Sequence, residues 1–92
     1  MPQPSGYTPT YIATNTTTLV CTGSCRLHTI VLGETAAGAI SIYNGLTAGG
    51  TLIGVLKASI AENTFLFDAD CPVGLCIVTA GASKLTVNWQ RT

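Results

Sequence analysis

Apolar and polar residues alternate in short runs from Tyr11 to the end of the chain, and glycine-containing turns separate the runs. In residues 26–32 (RLHTIVL), Leu27, Thr29 and Val31 fall on one side and His28, Ile30 and Leu32 on the other. Ile40 and Ile42 share a side in the next run, then Phe65 and Phe67, then Leu75, Ile77 and Thr79, and finally Leu85, Val87 and Trp89. A period of two is the mark of a half-buried strand. The threonine-rich segment 11–21 is β-prone throughout, because branched side chains suit a pleated surface. About seven short strands at this spacing predict an all-β chain, folded as a single sandwich or barrel. No segment supplies a helical crossover, so the sheets are expected to be antiparallel. Residues 52–63 could also be written as a helix, with Leu52, Leu56 and Ile60 four apart. Gly54 and the β-branched residues there favour a strand followed by a loop. No exact internal repeat is present.

Residues 1–10 (MPQPSGYTPT) break the pattern. They contain three of the four prolines and no apolar period. Proline cannot donate to a ladder and biases its predecessor toward extended backbone, so an extended N-terminal arm is expected over 1–10, ahead of a sandwich domain over 11–92. Pro2, Pro4, Tyr7 and Pro9 are its candidate contact residues, and Tyr11, Tyr43 and Trp89 are those of the domain.

Composition then points to association. Four basic and four acidic residues are all the formal charge on 92 residues, whereas 47% are hydrophobic. A typical soluble domain is roughly 25% charged. A surface so poor in charge, with a net charge of zero, lacks the usual repulsion between copies. A chain of this length also has a thin core. The economical expectation is a homo-oligomer or a subunit of a larger assembly. Nucleic acid is not an expected partner, because Arg26, Lys57, Lys84 and Arg91 are scattered rather than clustered. Nor is a membrane, since the longest apolar stretch stops at Lys57. The opening residues lack the charged and apolar regions of a secretory signal, so synthesis in the cytoplasm is expected.

Little in the chain suggests catalysis. His28 is the only histidine, and nothing in sequence sets a nucleophile or a carboxylate beside it, so it is expected to be a partly buried structural residue. Asp68-Ala-Asp70 resembles the start of a calcium loop but lacks the glycine and distal glutamate, and a loop cap is the better expectation. Glu34 and Glu62 sit in turn-like segments as solvated acids. Asn15-Thr16-Thr17 is a chance sequon in a threonine-rich run. No metal or cofactor is expected, and no enzymatic activity. The cysteines form two near pairs, Cys21/Cys25 and Cys71/Cys76, each bracketing a turn before a strand. Three readings stay open: a zinc site, disulfides joining two turns that lie side by side, or buried free thiols. The even count in a small chain favours disulfides over zinc.

The succession of a threonine-rich strand, residues 22–30 (TGSCRLHTI), residues 42–56 (IYNGLTAGGTLIGVL) and residues 74–89 (GLCIVTAGASKLTVNW) resembles small virion proteins of tailed bacteriophages. The likeness extends over nearly all of 11–92 and rests on strand pattern and turn placement. It implies a jelly-roll-like β-sandwich serving as a capsid decoration (cement) protein, or as a head-fibre or tail module recognising a host surface or carbohydrate. It further implies an oligomer, commonly a trimer, bound non-covalently to the major capsid protein or other virion subunits. The cysteine pairs depart from the family pattern.

Overall fold

A computed structural model describes residues 7–92, so Pro2 and Pro4 of the expected arm lie outside the described residues. Eight strands follow in order: β1 (Thr8–Ile12), β2 (Thr16–Thr22), β3 (Cys25–Glu34), β4 (Ile40–Asn44), β5 (Thr51–Leu56), β6 (Thr64–Cys71), β7 (Gly74–Thr79) and β8 (Lys84–Arg91). They form two four-stranded sheets, a first of order β1-β8-β3-β6 and a second of order β2-β7-β4-β5, with every pair antiparallel. This is the strand order of a jelly roll, and the expected β-sandwich is the observed fold.

The chain changes sheet at every connection except the β4–β5 hairpin. The turn-separated strands are therefore mostly not paired with their neighbours in sequence. Segment 11–21 illustrates this: it is not one strand but the end of β1 and most of β2, in different sheets. Thr79 fastens the switch, its hydroxyl donating to the Thr14 carbonyl at 2.5 Å while accepting from the Thr16 amide at 3.1 Å. The arm also ends earlier than expected, because Thr8, Pro9 and Thr10 belong to β1 and pair with β8. A proline is tolerated there because β1 is an edge strand. Residues 51–56 are a strand and a loop follows, as the glycine argument predicted.

Between the sheets lie Leu27, Ile30, Leu32, Ile40, Ile42, Leu75, Ile77, Leu85 and Val87, all buried. The expected facing of β3 is half right. Leu27 points inward, but Ile30 and Leu32 do so as well, because the register slips between Leu27 and Thr29. A β-bulge at this point turns His28 and Thr29 to the outer side together. Similar slips occur between Leu19 and Cys21 in β2 and between Ile42 and Tyr43 opposite β5. Gly54, on the inner side of β5, lies beneath the Phe67 ring of the opposite sheet; a Cβ there would stand 3.2 Å from Cε2.

Candidate functional site

Three regions collect the residues that carry chemistry. The first is the outer side of the first sheet. Arg26 donates from Nε to Asp70 Oδ1 at 3.0 Å across β3 and β6, and Lys84 stands 3.6 Å from Glu34 across β8 and β3. Between these pairs, His28 Nδ1 meets Asp68 Oδ1 at 2.6 Å. His28 therefore does have a carboxylate partner, forty residues away in sequence, and Asp68 is in strand β6 rather than capping a loop. Asp68 adopts φ of 46°, a left-handed conformation that aspartate tolerates better than most residues and that belongs to the bulge opposite His28. Tyr7 stacks on the imidazole, with ring centroids 4.1 Å apart and planes 6° from parallel. Tyr11 is 64% exposed on the same side, at the rim of a shallow depression with Val31, Gly33, Thr86, Glu34 and Lys84. Pro9 lies between the two tyrosines, opposite Asn88, whose amide donates to the Thr29 hydroxyl at 3.0 Å.

The second region is a corner where both sheets meet. The β2–β3 and β6–β7 turns lie side by side there, joined by the Gly23 amide donating to the Val73 carbonyl at 3.0 Å. Their adjacency was expected, and it brings Cys71 of one turn to the Cys21/Cys25 pair of the other. Cys25 is the cross-strand partner of Cys71 and donates its thiol to the Cys71 carbonyl at 3.8 Å, with the Cys21 thiol beside it. Cys76 is apart from this trio: it sits on the outward-turned side of β7 between Leu19 and Tyr43, although it too is buried. The near pair Cys71/Cys76 thus does not come together. All four are thiols in the structure. Burial, then the bond with Cys21 and the neighbouring Cys21 and Cys71 sulfurs, push the Cys25 thiol up to about 12. Burial also raises Cys71 and Cys76. Thiols whose burial outweighs the one nearby cation, Arg91 beside Cys25, are poor nucleophiles. Among the described residues, no group of three or more His, Cys, Asp or Glu side chains is arranged to hold a metal.

The third region is the outer side of the second sheet. The register lines up Leu19, Cys76, Tyr43 and Leu52 in one row across all four strands, with Thr17, Val78, Ser41 and Val55 in the next. Leu52 and Val55 are 52% and 51% exposed, and Leu19 is exposed as well. None of β2, β4, β5 and β7 contains a charged residue. Six of the eight formal charges lie in strands of the first sheet, and the other two, Lys57 and Glu62, lie between β5 and β6.

Trp89, a candidate contact residue, is largely spoken for. Its ring packs against the core, its Nε1 donates to the Thr10 hydroxyl at 3.0 Å, and the Arg91 guanidinium covers it at 5.7 Å. Tyr43 is half-buried in the apolar row, whereas Tyr7 and Tyr11 are open. The His28–Asp68 pair is the feature that sequence reasoning missed, and no local signal marks it. No protein-family model matches this chain, and no curated protein sequence does.

Proposed function

We propose that this chain is a structural, non-enzymatic virion protein of a tailed bacteriophage, made in the host cytoplasm, that decorates and stabilises the assembled capsid. The observation that carries the reading is the segregation of charge between two outer faces of a jelly roll. The uncharged face of Leu19, Tyr43, Leu52 and Val55 suits burial against the major capsid protein, and the face with the ion pairs suits solvent. A subunit that binds the assembled shell but not its separated proteins stabilises the shell by RT ln(1 + [L]/Kd) per site, and many sites add up.

The test compares shells of the phage that encodes the chain, with and without this protein, for resistance to heat and osmotic shock. Occupied shells are expected to rupture at higher temperature; equal rupture rejects the cement role. A mass-spectrometric copy count of purified particles fixes the stoichiometry.

A second reading has its own support. Tyr7 and Tyr11 are exposed beside the hydrogen-bonding side chains of Asn88, His28 and Asp68, a combination suited to stacking on and bonding a sugar. In that case the protein is a head-fibre or tail module recognising host carbohydrate, and a glycan array with Tyr11→Ala as control separates the two.

A further inference from the structure

The four sheet edges are unequally protected. In the first sheet, Pro9 removes a donor from edge strand β1, and edge strand β6 carries Asp68, Asp70 and the left-handed bend at Asp68. Natural proteins use these devices to keep edges from pairing. The second sheet ends in β2 and β5, which contain neither proline nor charge. On β2, the Arg91 guanidinium already donates to the Thr22 carbonyl at 2.7 Å, and most exposed side chains are threonine. On β5, among the described residues, only the β4 side of the ladder is occupied. Its own Leu52 and Val55 are exposed.

We propose that β5 pairs antiparallel with β5 of a second copy about a two-fold axis between Ile53 and Gly54, joining the second sheets into one eight-stranded sheet. The argument is one of register. Directly opposite residues in a ladder must point to the same side. A uniform strand paired with itself about the 53/54 midpoint would violate this, setting Leu52 against Val55 on opposite sides. The slip opposite Ile42/Tyr43 removes the conflict. Leu52, opposite Tyr43, and Val55, opposite Ser41, both point outward, whereas Ile53, Gly54 and Leu56 point toward the core. The pairing then sets Leu52 against Val55 of the second copy on the outer side, and Ile53 against Gly54 on the inner side. Lys57, the nearest charge, falls opposite Gly50 of the second copy, so no like charges meet. The contact is isologous, the commonest closed arrangement of homo-oligomers. It deepens the decoration reading, on which it rests only for its use: the dimer doubles the uncharged face, and two linked faces bind a shell more tightly than one.

Sedimentation velocity of the full chain from about 1 to 500 µM tests the pairing, since a short edge contact belongs at the weak end of stable interfaces. A reversible monomer–dimer equilibrium is expected. The double variant Leu52→Lys/Val55→Lys sets lysines against lysines across the axis and is expected to leave monomer. Leu52→Lys/Val55→Glu sets lysine against glutamate twice and is expected to restore the dimer. Leu66→Lys, on the outer side of the first sheet, is expected to change nothing; thermal unfolding checks that each variant is folded. Monomer at every concentration, a trimer, a dimer that survives the Lys/Lys change, or a Lys/Glu variant no better than Lys/Lys overturns the proposal. A failure here leaves the shell-rupture comparison unaffected, because that experiment reads binding to the shell and not pairing in solution.

Discussion

The two sheets share a core but meet their surroundings in opposite ways. On the first sheet, the outer side carries cross-strand ion pairs and an imidazole–carboxylate pair, with Tyr11, Val31 and Leu66 exposed among them, and its edges carry a proline and two aspartates. The second sheet has uncharged side chains outside, aliphatic and hydroxyl-bearing with Tyr43 and Cys76 among them, and its edges carry no charge. The inner faces show no such contrast: both contribute leucine, isoleucine and valine. Folding requires only the inner faces to be apolar, so the difference outside is not explained by stability. An apolar outer face gains nothing until something covers it. The low overall charge is therefore not a uniform property of the molecule but the result of one sheet having none.

The largest expected effect comes from breaking the first sheet at its edge. Deleting residues 2–10 removes three of the five β1 residues, their ladder with β8, and the Thr10 hydroxyl that receives the Trp89 indole bond. At about 1 kcal/mol per lost hydrogen bond, plus the uncovered indole, the loss is expected to be about 3–4 kcal/mol. Urea unfolding should show it as a clearly lower midpoint. The part of the expected arm from Thr8 onward therefore contributes to folding.

Alkaline pH should come next, and it acts on the buried thiols, two of them at the corner that joins the sheets. Cys25, Cys71 and Cys76 have raised folded pKa values, so between about pH 9 and the folded values the unfolded chain sheds protons that the folded chain keeps. Stability is then intact below pH 9 and falls as pH rises, reaching its floor only near the folded value, about 12 for Cys25. The slope is up to about 1.4 kcal/mol per pH unit for each retained proton. Unfolding midpoints at pH 8 and pH 10 should separate more in the parent than in Cys25→Ala/Cys71→Ala, which lacks two of the three raised thiols.

A smaller loss is expected where Gly54 meets the opposite sheet. Gly54→Val sets new atoms against the Phe67 ring, whose Cε2 would be 3.2 Å from the Cβ alone. Overpacking of this kind costs about 1–3 kcal/mol. Gly54→Ala should cost less, because the ring edge can shift a few tenths of an ångström.

Much of this was legible in the chain, and the exceptions share a cause. Period-two alternation located β4 to β8 and the inner residues Ile40, Ile42, Leu75, Ile77, Leu85 and Val87. Alternation describes one strand at a time, so it could not say that β1 and β2 belong to different sheets, nor see the bulge that reverses the facing of Ile30 and Leu32. Proline content masked β1, because Pro9 reads as an arm until the strand is known to be an edge. Cysteine spacing suggested two local pairs, yet Cys71 faces the core and Cys76 the opposite side, a grouping set by which strands cross the corner. The contrast between the sheets was equally hidden, although every charge was visible, because it depends on strand order.

His28 provides the smallest and most discriminating test of the comparison. In sequence it had no acid; in the structure Asp68 holds its Nδ1 at 2.6 Å and Tyr7 covers its ring. Asp68 is half exposed and the imidazole about one-third so, and a pair as open to solvent as this contributes about 0–1 kcal/mol. His28→Gln retains a polar group that can bond Asp68 but loses part of the flat ring beneath Tyr7. The expected outcome is an unfolding midpoint within about 1 kcal/mol of the parent, and shell binding within a few-fold, because the uncharged face is on the other sheet. If His28→Gln abolished shell attachment while the protein stayed folded, the first sheet would be the docking face and the assignment of the two faces would be reversed. If it left the shell alone but removed glycan binding, the open tyrosines and the imidazole–carboxylate pair would form a recognition site, and the two sheets would divide the work of anchoring and recognition between them.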